Sequence, residues 1–196
     1  DRKQLLAALA KYDASATAIS QLGVRLAPPQ DGKRQANVEA DVTHGKGWFE
    51  VQDEGSQIAA ALTGVKPGET VLDLCAGAGG KTLALAAAMQ NKGQIFAYDD
   101  DKTRLRPIFE RMTRAGVTNV EVISAGDTGT LKSHGAKFDC VLIDAPCTGS
   151  GTWRRKPDAK WRLKAESIAK RQAEQRSVLA TGASHVRHGG RLVYVT

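Results

Sequence analysis

The stretch Val71-Leu-Asp-Leu-Cys-Ala-Gly-Ala-Gly-Gly-Lys-Thr-Leu-Ala-Leu-Ala-Ala-Ala-Met89 decides the fold. Its first five residues form a short apolar run that reads as a strand. Glycines at 77, 79 and 80 then make a turn, and Leu85, Ala86 and Met89 fall on one stripe of the helix that follows. Strand, glycine turn and helix in that order open a βαβ unit, and the glycines let backbone N–H groups approach a ligand at the helix N-terminus. Downstream the alternation repeats. Gln94–Tyr98 reads as a second strand after the Asn91-Lys92-Gly93 stop, Val120–Ser124 as a third, Phe138–Ile143 as a fourth and Arg191–Thr196 as a fifth. Between the second and third strands, Leu105, Ile108, Phe109 and Met112 have helical spacing, with Pro107 expected to shift or kink that helix. A basic helix around Ile168–Val186 runs through Gly189-Gly190 into the fifth strand. This alternation specifies a doubly wound, mostly parallel α/β sheet whose functional residues collect at the C-terminal ends of the strands.

Upstream the sequence is less regular. Gln4 to about Lys11 reads as a helix with Leu5, Leu6 and Leu9 on one face, followed by an irregular stretch with Pro28-Pro29 and an Asp31-Gly32 turn signal. Ser56 is expected to cap a short helix that buries Ile58, Ala59 and Leu62. The 196 residues are 41% hydrophobic and 25% charged, an ordinary globular composition. No apolar run reaches the roughly 18 residues of a membrane span, no signal-peptide core opens the chain, and the cytosol is the default location. Three scattered cysteines, Cys75, Cys140 and Cys147, offer neither a disulfide framework nor a CxxC metal site, so no metal is expected.

Charge is the other informative feature. The net charge is +7, and nearly all of the excess lies between Trp153 and Arg176, where nine Lys and Arg face three Asp and Glu. Such a patch suggests a polyanion, nucleic acid first; the alternative is a solvated helix face. Arg154, Arg155, Lys156, Lys160 and Arg162 are candidates for phosphate contacts. Trp153 and Trp161 either stack on bases or pack inward.

Two ligands suit the glycine turn. Gly80-Lys81-Thr82 matches the end of a phosphate-binding loop, but the first glycine of GxxxxGK[ST] falls on Cys75. A nucleoside instead needs a carboxylate at the end of the second strand, about 20 residues on, and Asp99 stands 22 residues after Gly77. The nucleoside is favoured. Asp127 closes the third strand, where it either reads an adenine amine or caps a helix. Asp144-Ala-Pro-Cys147 closes the fourth strand beside the same crevice, and the position of Cys147 favours a functional thiol.

The strings FEVQDEGSQIAAAL, VLDLCAGAGGKTLALA, VLIDAPCTGSGTWRRKPDAKWR and GGRLVYVT, in this order, resemble the Sun-type family of RNA (cytosine-5)-methyltransferases. The resemblance implies a Rossmann-like methyltransferase core over residues 47–196, with residues 1–46 a remnant of a small RNA-binding subdomain and linker. It implies S-adenosylmethionine as cofactor and RNA as partner, ribosomal RNA ahead of transfer RNA. The backbone of Cys75, Ala76, Gly77, Ala78, Gly79, Gly80 and Lys81 would surround the methionine moiety, Asp99 the ribose, Asp127 the adenine, and Asp144 the methyl-transfer site and target cytosine. Cytosine C5 is a weak nucleophile until a thiolate adds to C6. In the family the attacking Cys directly follows the Thr of a strand that reads LVYVT here, while the Cys of the DAPC motif, here Cys147, assists product release. The sequence ends at Thr196. The expectation is therefore a fragment that carries the cofactor site and the auxiliary Cys147 without the nucleophile, lacks the family's C-terminal strands, and binds cofactor without turning over. The competing expectations are a nucleotide hydrolase with a degenerate phosphate loop and a non-catalytic RNA-binding module.

Overall fold

A computed structural model describes residues 1–27, 36–153 and 156–196. The chain opens with helix α1 (Arg2–Ala8), capped by the Asp1 carboxylate, and a single 3-10 turn over Ala10–Tyr12. Strands β1 (Ala14–Ala16) and β2 (Val24–Leu26) then pair as an antiparallel hairpin. Three-residue strands carry no alternation long enough to read from sequence, and the hairpin was not expected. The Pro28-Pro29 and Asp31-Gly32 signals lie outside the described residues. After α2 (Val42–Gly45) comes α3 (Glu54–Leu62). Glu54 accepts hydrogen bonds from the backbone N–H groups of Ile19 and Ser20 (3.0 and 2.9 Å), so α3 fastens the N-terminal hairpin to the rest of the chain. Helix α3 begins at Asp53 rather than at Ser56, and Leu62 points outward while Ala60 is buried. Ser56 is thereby placed within the first turn, on the side facing the sheet's crest.

From here the alternation read in the sequence holds. Strand β3 (Thr70–Asp73) leads through the glycine turn into α4 (Gly80–Ala88), and β4 (Gln94–Ala97) follows. Pro107 divides the next helical stripe into α5 (Lys102–Leu105) and α6 (Ile108–Ala115). Proline has no N–H to continue the ladder but is well placed at a helix start. The break also rotates the stripe: Ile108 is buried and Phe109 is exposed, against the uninterrupted spacing. Strand β5 (Val120–Val122), α7 (Thr128–Ser133) and β6 (Phe138–Asp144) come next, then the short α8 (Asp158–Arg162), the long α9 (Ala165–His185) and β7 (Val186–Val195). Strand β7 starts earlier than the glycine pair implied. Phe138 pairs with Val186 but Cys140 pairs with Arg191, so Arg187–Gly190 bulge out of the ladder, with Gly189 at φ +74°.

The five long-range strands form one parallel sheet in the order β5-β4-β3-β6-β7. Alternate residues feed its two faces. Val71, Ile95, Cys140 and Leu142 pack with Leu85, Ala86 and Met89 of α4, whereas Leu72, Phe96, Val141 and Ile143 pack on the opposite side with Leu131 of α7 and Val178 of α9. Burial on both faces explains why β6 reads as an almost continuous apolar run. The chain moves outward from β3 to β4 and β5, then returns to place β6 against the other side of β3. The order therefore reverses between β3 and β6, and a ligand crevice opens at that point.

Candidate functional site at the switch point

The residues after β3 and those ending β6 meet at the reversal. Gly77 (φ +51°) and Gly79 (φ +83°) take the left-handed conformation that turns the strand into α4. Gly77 donates its N–H to the Asp99 carboxylate (2.9 Å), which also accepts from the N–H of Asp101 (3.0 Å). Asp99 is only 2% exposed, with the Arg104 guanidinium 3.4 Å away. Asp99 thus braces the glycine turn while sitting at the end of β4 where a ribose carboxylate belongs. Beneath the turn, fully buried Asp73 accepts from the Thr82 hydroxyl (2.7 Å) through one oxygen, and its other oxygen meets no donor among the described residues. Burial pushes its carboxyl up to about 7.

At the other wall, the Lys81 ammonium donates to Asp144 (2.7 Å) and to the Ser56 hydroxyl (2.7 Å), joining α4, the end of β6 and α3. Lys81 is largely buried and Asp144 half-exposed, so the carboxylate is both oriented and reachable. A cleft of about 580 Å³ lies between these walls, within the range of small-molecule sites; it is lined by Cys75, Ala76, Gly77, Ala78, Gly80, Lys81 and Asp144 from the sequence-predicted set. Its other lining residues include Gln52, Asp53, Ser56, Arg104 and Arg111, none of which sequence reasoning assigned to a site. Arg104 had one available signal, its place in the first helical turn after the Asp99–Asp101 run. The others reach the cleft only through tertiary contacts: Arg111 is held by Glu50 (3.0 Å) and donates to the Ala78 carbonyl (2.9 Å).

The remaining candidates lie further out. Gly79 is the α4 cap; its own face is closed by Ile108. Asp127 is not a lining residue of the cleft; it caps α7, accepting from the backbone N–H and the hydroxyl of Thr130 (2.9 and 2.7 Å), contacts that hold its carboxyl below the usual range. Burial drives the Cys75 thiol up to about 12 and the Cys140 thiol up to about 11, while Cys147 is exposed and its sulfur accepts from the N–H of Gly149 (3.3 Å). Lys156, Lys160 and Arg162 are exposed on and before α8; Arg154 and Arg155 lie outside the described residues. Trp153 is half-buried, which favours the packed reading for it. Trp161 is 79% exposed under the Lys160 ammonium (4.7 Å), as a stacking surface requires. Among the described residues no helix is long and apolar enough to cross a membrane.

The cleft fits a nucleoside with an amino-acid tail: backbone N–H groups stand at a helix N-terminus and cationic side chains at the rim, while Asp99 is not a lining residue and lies buried behind the glycine turn. A parallel sheet that reverses beside such a turn defines the Rossmann-like, nucleoside-binding α/β class. A family model described as 16S rRNA methyltransferase RsmB/F matches residues 60–196, and the chain belongs to that family. It is 35% identical over its whole length to a probable ribosomal RNA small subunit methyltransferase B of Synechocystis, of which it spans 43%. A methyltransferase homologue from Pyrococcus horikoshii superposes with a TM-score of 0.79 at 31% identity, covering 99% of this chain and 60% of that one. NSun6 from the same organism, solved with the S-adenosylmethionine analogue SFG, superposes with a TM-score of 0.73 at 33% identity over 81% of this chain and 40% of the other. Membership in a methyltransferase family decides against the hydrolase reading of Gly80-Lys81-Thr82.

Proposed function

We propose that residues 47–196 are the cofactor-binding core of an enzyme that methylates C5 of cytosine in RNA, ribosomal RNA ahead of transfer RNA, and that residues 1–46 belong to an RNA-binding subdomain. The observation that carries this reading is the Lys81–Asp144 pair at the switch point, three residues before the exposed Cys147. S-adenosylmethionine supplies an electrophilic methyl group when bound. The backbone of Cys75–Lys81 would hold its methionine end, and Asp99, beside Arg104, would hold its ribose. Each oxygen of Asp127 keeps a second lone pair for the adenine amine. Asp144, fixed by Lys81, orients the cytosine.

Thiolate addition to C6 makes C5 nucleophilic. Once C5 is methylated, loss of its proton returns the electron pair to the ring and expels the thiolate. The attacking thiol is assigned outside these 196 residues, and Cys147 assists the elimination. Burial disfavours Cys75 and Cys140 as thiolates, which leaves the exposed Cys147 as the thiol of this chain able to take part. Lys156, Lys160 and Arg162, with Arg154 and Arg155, hold the RNA backbone. The test is nucleoside analysis of ribosomal RNA after incubation with methyl-labelled cofactor. A protein in which this chain continues to the attacking thiol forms 5-methylcytidine, and the 196-residue chain forms none. Formation of 5-methylcytidine by the 196-residue chain would make Cys147 the nucleophile, and label in another nucleoside would overturn the cytosine assignment.

A further inference from the structure

On the far side of the Asp144–Cys147 loop lies a second cleft, of about 430 Å³, between α8 and the start of α9. Cys147, Thr148, Lys156, Arg162, Ser167 and Arg171 line it, and Asp158 is the one carboxylate among its lining residues. The two clefts share a wall: Asp144 faces the first and Cys147 the second. Arg171 is placed with particular care. It is half-buried, and Glu174 one turn on holds its guanidinium at 2.5 Å. Gln175, four residues after Arg171 and so on the same face of α9, donates to the Pro146 carbonyl at 2.9 Å. One face of α9 therefore clamps the Asp144–Cys147 loop and presents an arginine beside it. The other carboxylate of this helix's first turns, Glu166, is not a lining residue. Three cations face two carboxylates, Asp158 at 3.8 Å from Arg162 and Glu174 on Arg171, so the cleft keeps a small positive excess centred on Lys156. A guanidinium offers paired donors that match phosphate oxygens.

Resting on the methyltransferase reading above, we propose that this cleft is a phosphodiester subsite in which Arg171, with Lys156 and Arg162, holds the RNA backbone at the target nucleotide while the base reaches past Cys147 towards Asp144. An acidic peptide would meet the same charges but has no reason to sit against the thiol and carboxylate that work on a pyrimidine. The test is fluorescence anisotropy of the protein with a labelled single-stranded RNA containing cytidine, across a series of KCl concentrations, with S-adenosylhomocysteine affinity measured alongside. Arg171→Ala should weaken RNA binding about tenfold at low salt and lower the log–log salt slope by about 0.7, the increment for one phosphate on a single strand. Arg171→Lys should restore the slope, and Arg176→Ala, outside the cleft on the same helix, should change little. Equal effects of Arg171→Ala and Arg176→Ala, or an unchanged slope in Arg171→Ala, would overturn the subsite and leave the methyltransferase reading standing. Absence of S-adenosylhomocysteine binding by the unaltered protein would instead remove the reading on which the subsite rests.

Discussion

Asp73 is the residue whose environment departs furthest from what water would give it. It ends β3, is wholly buried, and satisfies one oxygen with Thr82 while the other meets no donor among the described residues. An ionised carboxylate there would leave charge without a partner, and burial accordingly pushes the group up to about 7. Its ordinary value in an unfolded chain is near 4. Between about pH 4 and pH 7 the folded protein therefore retains a proton that the unfolded chain has released. This residue's contribution to stability falls as pH rises through that window and is level above it. Asp73→Asn keeps an acceptor for Thr82 and removes the titration. The difference in urea midpoint between variant and parent should move in favour of the variant from pH 4 to 7; a constant difference across the window would show that Asp73 is ionised throughout. Nothing in the residue pattern pointed to this. Asp73 reads as one more acidic residue at a strand end, and only the packing of α4 over it reveals the buried state.

At the scale of elements, the turn from β3 into α4 does most of the positioning. Gly79 holds φ +83°, and a Cβ there would fall 2.5 Å from Cγ1 of the buried Ile108. Gly79→Ala should cost about 1–3 kcal/mol of stability through strain and overpacking, and should weaken S-adenosylhomocysteine binding because α6 must move from the turn. Chemical denaturation and calorimetry check the two effects, and an alanine variant indistinguishable from the parent in both would mean that the turn is not held by Ile108. Elements of this kind were legible because glycine and proline mark them chemically. The glycine turn and the break at Pro107 both came from residues with a fixed backbone consequence. Elements set by tertiary contact were not legible. Phe109 and Leu62 satisfied a helical spacing yet face solvent, the β1–β2 hairpin is too short to alternate, and Gly189-Gly190 proved to be a bulge inside β7.

Over the whole molecule, strand order places chemistry that lies far apart in sequence. Ser56, Lys81 and Asp144 span 88 positions and meet because β6 returns beside β3. The alternation of strands and helices predicted that return, and with it the crevice, but the partners Ser56 and Arg111 depend on how residues 47–56 lie across the turn. Glu50 fixes that segment, pairing with Arg111 and with Arg114 (2.7 Å), while a Cβ on Gly47 would overlap the Arg114 carbonyl. The basic run from Trp153 to Arg176 was legible as charge. Its division into an exposed Trp161 platform and a cleft against Cys147 needed the fold.

Isothermal titration of the protein with S-adenosylhomocysteine in the absence of divalent metal tests the central assignment most directly. The account predicts saturable one-to-one binding, weakened at least about tenfold by Asp99→Asn, which removes the charge of the carboxylate that braces the turn and is proposed to hold the ribose. No heat with S-adenosylhomocysteine, together with magnesium-dependent binding of ATP, would contradict it.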